Sequence, residues 1–215
     1  MTTADGAQRY FDSVPSEWDS LYSHENRVYY MANQYLRKGI FERYDLTFQT
    51  VGDLEGKKVL DIGTGTGRFA VECAKRGADV IGIDFAPKMI EFSRQAARRF
   101  GVEERCKFVV GDVLEHDFDE QFDVVLALGL FDYVREPSAL MERIGRFEPK
   151  VFVASYPLFS PLYGLQRFVR YNIIRQCPIY YYDRADIEKL HALGNFDHSE
   201  IIPITKGHIG IGRND

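Results

Sequence analysis

Val59-Leu60-Asp61-Ile62-Gly63-Thr64-Gly65-Thr66-Gly67 decides the reading of this 215-residue chain. The hydrophobic pair Val59 and Leu60 leads a short buried strand with Asp61 near its end, and the strand runs straight into a glycine-rich turn. Glycines at alternate positions let the backbone take φ > 0 and leave room for a ligand against the main chain. A second acid, Asp84, closes the next apolar run, Val80-Ile81-Gly82-Ile83, and stands 21 residues after Gly63. A βαβ unit needs about that spacing to bring a carboxylate under a ribose.

Working outward, apolar runs and helical patterns alternate in the manner of a doubly wound α/β sheet. Strands are expected at 58–62, 80–83, 107–110, 122–128 and 151–155. Helices are expected at 68–76, ending at Gly77, at 87–100, opened by Pro87, and at 137–147, opened by Pro137. The regular spacing stops after the fifth strand. An insertion at 156–182, partly helical over 162–174, is followed by a short helix at 186–193 with Asp183 as N-cap. Two closing strands, 200–204 and 208–213, suit an antiparallel hairpin. Residues 7–50 read as helical and rich in aromatics.

Composition bounds the function. A net charge of −5 and a pI near 5.6 argue against an electrostatic nucleic-acid binder. No apolar run approaches the ~18 residues of a membrane span, and the first residues lack the pattern of a secretory leader. Cys73, Cys106 and Cys177 are widely spaced, which reads as free thiols in a reducing compartment. That makes the cytoplasm the expected location, with no metal site.

A nicotinamide dinucleotide is the first ligand to weigh, and Arg68 opposes it. The dinucleotide pattern G-x-G-x-x-G needs a third glycine at 68, where this chain has a bulky side chain. The glycine falls at Gly67 instead, giving G-x-G-x-G. In that spelling the turn resembles motif I of the class I S-adenosylmethionine-dependent methyltransferases. Gly111-Asp112-Val113 after the third strand and Phe122-Asp123-Val124-Val125 leading the fourth strengthen the resemblance. It covers roughly residues 59–155. It implies a Rossmann-like, mostly parallel seven-stranded sheet with the last strand reversed. It also implies S-adenosyl-L-methionine as cofactor and S-adenosyl-L-homocysteine as product.

The same resemblance assigns roles. Asp61, Gly63, Thr64, Gly65 and Gly67 would face the methionine end, and Asp84 the ribose hydroxyls. Phe85 and Met89 would pack on the adenine, Asp112 and Val113 would reach its amino group and ring, and Leu128 would lie beside the sulfonium. Each has a plainer alternative. A glycine-rich turn can be only a turn, Asp84 can cap the helix opened by Pro87, Met89 at helical spacing can be core, and Gly-Asp can mark an ordinary turn.

The N-terminal run Tyr10-Phe11-Asp12 with Glu17-Trp18-Asp19-Ser20-Leu21-Tyr22 resembles the opening of magnesium-protoporphyrin and ubiquinone-pathway methyltransferases. There this segment forms a helical lid. The chain thus divides into a lid at 1–50, with Tyr22 near the cofactor, and a cofactor-binding domain at 51–215 with the 156–182 insertion as substrate cap. An amphipathic helix packed on the sheet would read the same way. Arg27 or Arg37 could reach the cofactor carboxylate.

The insertion carries Arg167, Arg170 and Arg175 among tyrosines and no acid. Such a patch suits a planar or anionic small molecule, with Phe131, Arg167, Arg170 and Tyr182 as acceptor contacts, although a solvated helix face is the commoner use of such charges. Tyr133 and His116 are the foremost candidates for a general base, ahead of His24, His191, His198 and His208. Where ubiquinone-type enzymes carry a histidine in an L-E-H-V run, this chain has Phe131-Asp132-Tyr133-Val134. It also lacks the Asn/Asp-Pro-Pro-Tyr tetrapeptide of many base and glutamine methyltransferases.

The expectation is therefore methyl transfer to an oxygen of a small-molecule acceptor. Nitrogen transfer, a tRNA or protein substrate, and a non-catalytic cofactor-binding protein stay open as alternatives, as does monomer against homodimer.

Overall fold

Apolar residues on both faces of the central strands require helices on both sides, and the chain supplies them. A computed structural model describes residues 38–159 and 179–215. The order is α1 (Lys38–Val51), β1 (Lys58–Ile62), α2 (Arg68–Lys75), β2 (Asp79–Asp84), α3 (Pro87–Arg99), a 3-10 turn (Glu103–Arg105) and β3 (Cys106–Val110). Then follow β4 (Val124–Ala127), α4 (Pro137–Gly145), β5 (Val151–Pro157), α5 (Arg184–Leu193), β6 (His198–Ile204) and β7 (Gly207–Arg213). The expected lid at the N-terminus, with Tyr22, and the arginines Arg167 and Arg170 lie outside the described residues.

The seven strands form one sheet in the order β3-β2-β1-β4-β5-β7-β6. β1 to β5 pair in parallel, while β7 runs antiparallel to both β5 and β6. The expected mostly parallel sheet with its last strand reversed is what folds. Along β1, Val59 points into a core shared with Phe48 of α1, Phe69 of α2 and Ile90 of α3. Leu60 points into the opposite core, with Met141 and Ile144 of α4 and Ile187 of α5. Alternating side chains buried on both faces are the mark of a sheet covered by helices on each side.

The chain winds outward from β1 through β2 to β3, then returns to place β4 on the other side of β1. That reversal opens a crevice beyond the carboxyl ends of β1 and β4, where ligands of such sheets bind.

Element boundaries moved where side chains overrode the apolar pattern. β4 starts at Val124 because Asp123 turns its carboxylate to the Lys58 amide (3.0 Å) and to Lys150 Nζ (3.1 Å). Phe122, expected in this strand, instead packs edge-on against Phe118 and Phe147, with centroids 5.6 and 5.7 Å away. β5 extends to Pro157 because β7 offers it partners out to Gly207. α5 begins at Arg184, two residues early, because Asp183 and Asp186 form a reciprocal capping box.

Candidate active site

The turn after β1 is fastened before any ligand is considered. The Gly63 and Thr64 amides both donate to the Ile83 carbonyl of β2, at 2.8 and 3.1 Å. Beneath the turn lies Asp61, only 2 % exposed, whose Oδ2 accepts from Thr64 Oγ1 at 2.7 Å. Burial pushes the Asp61 carboxyl up to about 7, against the opposing pull of its bonds from Thr64 and the Ala70 amide, with the Asp84 charge adding to the rise. Asp61 therefore braces the turn from below.

The glycines divide the work. At Gly67, in the left-handed region at φ 79, an added Cβ would sit 2.6 Å from Ser93 Cβ. This position is glycine because α2 and α3 approach closely there. At Gly65, φ 55, an added Cβ would meet no protein atom within 4 Å. Its backbone faces open space in the crevice, the form a cradle for a ligand takes.

Asp84, at the end of β2, is bonded on both oxygens. Oδ2 accepts from the Gly65 amide and Oδ1 from the Ala86 amide, each at 2.9 Å. The acid thus ties the glycine turn to β2 and steadies the backbone just before α3, whose N-cap is Ala86. A carboxylate oxygen can accept more than one hydrogen bond, which a ligand hydroxyl would use.

Around these residues lies a cavity of about 400 Å³. Gly63, Thr64, Gly65, Asp84, Phe85, Met89, Leu128 and Tyr133 all line it. Asp61 and Gly67 stand behind the wall in the roles just given. Asp112 is exposed and uses Oδ1 to accept from the Leu114 amide at 2.9 Å, while Val113 is buried in the adjoining core.

Three expected contacts lie elsewhere. His116 packs edge-on to Phe118 at 4.6 Å, and its carbonyl accepts from Arg143 at 2.8 Å, so its ring belongs to the aromatic cluster and not to the cavity wall. Phe131 is fully buried against Tyr156 (4.5 Å) and Tyr182 (6.0 Å). Tyr182 donates its hydroxyl to the Val134 carbonyl at 3.2 Å, and burial raises its phenol well above the ordinary value. Both rings are core behind the acceptor space, because the aromatic side chains of β5 and the following loops close on one another there.

Arg43 is the residue that sequence reasoning missed. It lines the cavity from α1, donating Nη1 to Ser155 Oγ at 3.2 Å, while Ser155 Oγ also accepts from the Gly129 amide at 2.8 Å. Its Nε is buried without a hydrogen-bond partner. Arg27 and Arg37, the sequence's candidates for the cofactor carboxylate, lie outside the described residues. Nothing local distinguishes Arg43 from them, because its place depends on how α1 docks across β5 to β7.

Residues 53–160 match the methyltransferase domain family. The chain belongs to that family. The class I, S-adenosylmethionine-dependent resemblance of its motifs is borne out. The ubiquinone biosynthesis O-methyltransferase of Alkalilimnicola ehrlichii is 32% identical over 120 residues, covering 56% of this chain and 47% of that protein. The protein of the same name from Pseudomonas fluorescens is 35% identical over 89 residues, covering 41% and 38%. This chain thus spans less than half the length of these curated relatives. Among solved structures, the magnesium protoporphyrin IX methyltransferase of Synechocystis PCC 6803 with bound S-adenosylmethionine superposes with a TM-score of 0.77. It is 19% identical, covering 100% of this chain and 98% of that one. At that identity it shows the shared fold.

Proposed function

We propose that this methyltransferase-family chain carries a methyl group from S-adenosyl-L-methionine to an oxygen of a small planar or anionic acceptor. The observation that carries the reading is the junction of Asp84, the open backbone at Gly65 and the buried Arg43 Nε around one cavity. These residues fit the cofactor's chemistry: a carboxylate for vicinal hydroxyls, bare main chain beside the sulfur, and a guanidinium for a carboxylate. When bound, the cofactor supplies an electrophilic methyl on a sulfonium.

The rest is done by the chain. Asp84 holds the ribose, Phe85 and Met89 flank the adenine, and Asp112 with Val113 closes the adenine end from the β3 side. Arg43 grips the methionine carboxylate. Leu128 and Leu130 keep the reacting space apolar and dry, which raises the reactivity of an oxygen nucleophile. Tyr133, on the cavity wall, relays the acceptor proton, its hydroxyl oxygen accepting that proton as its own O–H proton passes on to water. The 1–50 segment serves as lid, and the 156–182 insertion, with Arg167 and Arg170, as substrate cap. Oxygen is favoured because the curated relatives reported above are named O-methyltransferases.

Calorimetric titration with S-adenosylhomocysteine beside NADH tests the foundation. Micromolar binding of the first alone is expected. Binding of NADH alone, or of neither by folded protein, would overturn the proposal.

A further inference from the structure

The cavity is longer than the cofactor that the glycine turn receives. Its wall runs from Asp84 on β2 across β1, β4 and β5 to Thr205, Lys206 and Gly207 at the turn into β7. These are four strand steps of about 4.8 Å each, or ~19 Å in all. Anchored by its ribose at Asp84, S-adenosylmethionine has a sulfur one carbon beyond the ribose and a short amino-acid chain beyond that. With its carboxylate at Arg43, which sits on Ser155 of β5, the cofactor stops one strand short of the hairpin. The last part of the cavity is left for something else.

That end is built with care. The turn is tied to α1, where Glu42 accepts from the Thr205 amide at 2.6 Å and from Thr205 Oγ1 at 3.1 Å. A Cβ on Gly39 would collide with the Thr205 carbonyl, so helix and hairpin touch backbone to backbone. On the other side, the Lys206 carbonyl accepts from the Leu158 amide at 3.2 Å. Between these ties Lys206 sits at φ 71, in the left-handed region. Glycine or asparagine would hold that conformation more cheaply, since a residue with a long side chain loses ~1 kcal/mol or more there. The two-residue hairpin loop itself calls for a positive φ, and the residue that fills that position here is a lysine. In a chain of net charge −5, the turn places a lysine on the cavity wall.

We propose that the β6–β7 turn forms an acceptor subsite in which Lys206 pairs with a carboxylate of the methyl acceptor. This deepens the function proposed above and rests on it. The ammonium is a point charge on a flexible stem, suited to an anion whose exact orientation is fixed elsewhere by the acceptor's planar body. Lys206 is a specificity residue here, and the methyl-transfer geometry does not depend on it.

The test uses the full chain saturated with S-adenosylhomocysteine and two probes matched in shape, 3,4-dihydroxybenzoate and its neutral amide, 3,4-dihydroxybenzamide, titrated by calorimetry. Wild type should bind the carboxylate at least 10-fold more tightly than the amide. Lys206→Gly, which suits φ 71 and so keeps the turn, should erase the preference and leave S-adenosylhomocysteine affinity within twofold. Lys206→Arg should retain the preference, and Lys206→Met should lose it, confirming that charge and not backbone relief is responsible. A preference absent from wild type, one that survives in Lys206→Gly, or binding of neither probe to the loaded protein would overturn the subsite while leaving the cofactor reading intact. Failure of S-adenosylhomocysteine itself to bind would overturn both.

Discussion

Replacing Asp84 by asparagine separates the two duties of this acid. The carboxylate accepts from the Gly65 and Ala86 amides at 2.9 Å each, and it is 9% exposed. Asparagine keeps the shape but can present its oxygen to only one of those amides, and its own N–H₂ then faces the other donor. Hydrogen bonds to a charged group contribute about 1.5–3 kcal/mol each, so losing one and weakening the other should cost the fold ~2–3 kcal/mol. In a chain of this length that lowers Tm by about 4–12 °C. The same substitution weakens the bond to a ribose hydroxyl, so S-adenosylhomocysteine affinity should fall by ~10- to 150-fold, which is 1.5–3 kcal/mol again. Calorimetry at 15 °C on the folded variant reads the second loss and thermal melting of the ligand-free protein reads the first. Affinity within twofold of wild type would remove Asp84 from the ribose. Lost affinity with an unchanged melting temperature would refute the claim that its two backbone bonds hold the turn.

Two further outcomes concern Arg43 on the cavity wall and a pair of buried titratable groups. Arg43→Met should weaken S-adenosylhomocysteine by ~10-fold or more yet spare methylthioadenosine, which lacks the carboxylate; equal losses for the two ligands in calorimetry would place Arg43 elsewhere. Asp61 and His191 should give opposite pH dependences of stability: Asp61, raised from 3.8 to about 7, holds its proton in the folded state, so its contribution is present below pH 4 and lost as pH rises through 7, whereas His191, which burial lowers from 6.5 to about 4, contributes above 6.5 and loses it as pH falls through 4. The two slopes oppose one another between pH 4 and 6.5, so urea titrations should show Asp61→Asn becoming steeply more stable with rising pH over that window, by up to a few kcal/mol, while a flat profile like that of wild type would contradict the assignment.

What could be read from the sequence was what lies close along the chain. β1, its turn and β2 form one local unit, so the spacing of Gly63, Gly65 and Asp84 carried the fold class and one end of the cavity wall together. The sequence also placed Asp183 as a cap, although the capping box started α5 earlier than the apolar pattern suggested. It could not show side chains whose neighbours come from afar. Phe131 and Tyr182 looked like acceptor contacts because they are aromatic and near the right strand ends, yet they meet Tyr156 in the core. His116 followed the Asp112 loop, and Phe118 drew its ring aside. Arg43 and Lys206 gave no local signal at all. Their setting depends on Glu42 meeting Thr205 across 163 residues, a contact no periodicity announces.

That long-range contact also orders the chemistry. Glu42 and Arg43 are adjacent on α1, so one helix carries both the clamp on the β6–β7 turn and the guanidinium proposed for the cofactor's carboxylate. The Glu42 carboxyl is held below its ordinary range: burial raises it, and the bonds from Thr205 with the nearby Lys38 outweigh that rise, so the clamp stays ionised at neutral pH. Docking α1 therefore sets two stretches of the cavity wall at once, Arg43 against β5 and the β6–β7 turn, the places proposed for the cofactor carboxylate and the acceptor. A loosened α1 would relax Arg43 and Lys206 together, whereas Asp84 and the glycine turn, fastened to β2 through Ile83 and Gly65, would keep their geometry. The end proposed for the adenosine is thus built into the sheet, whereas the part proposed to select the acceptor depends on the placement of a single helix.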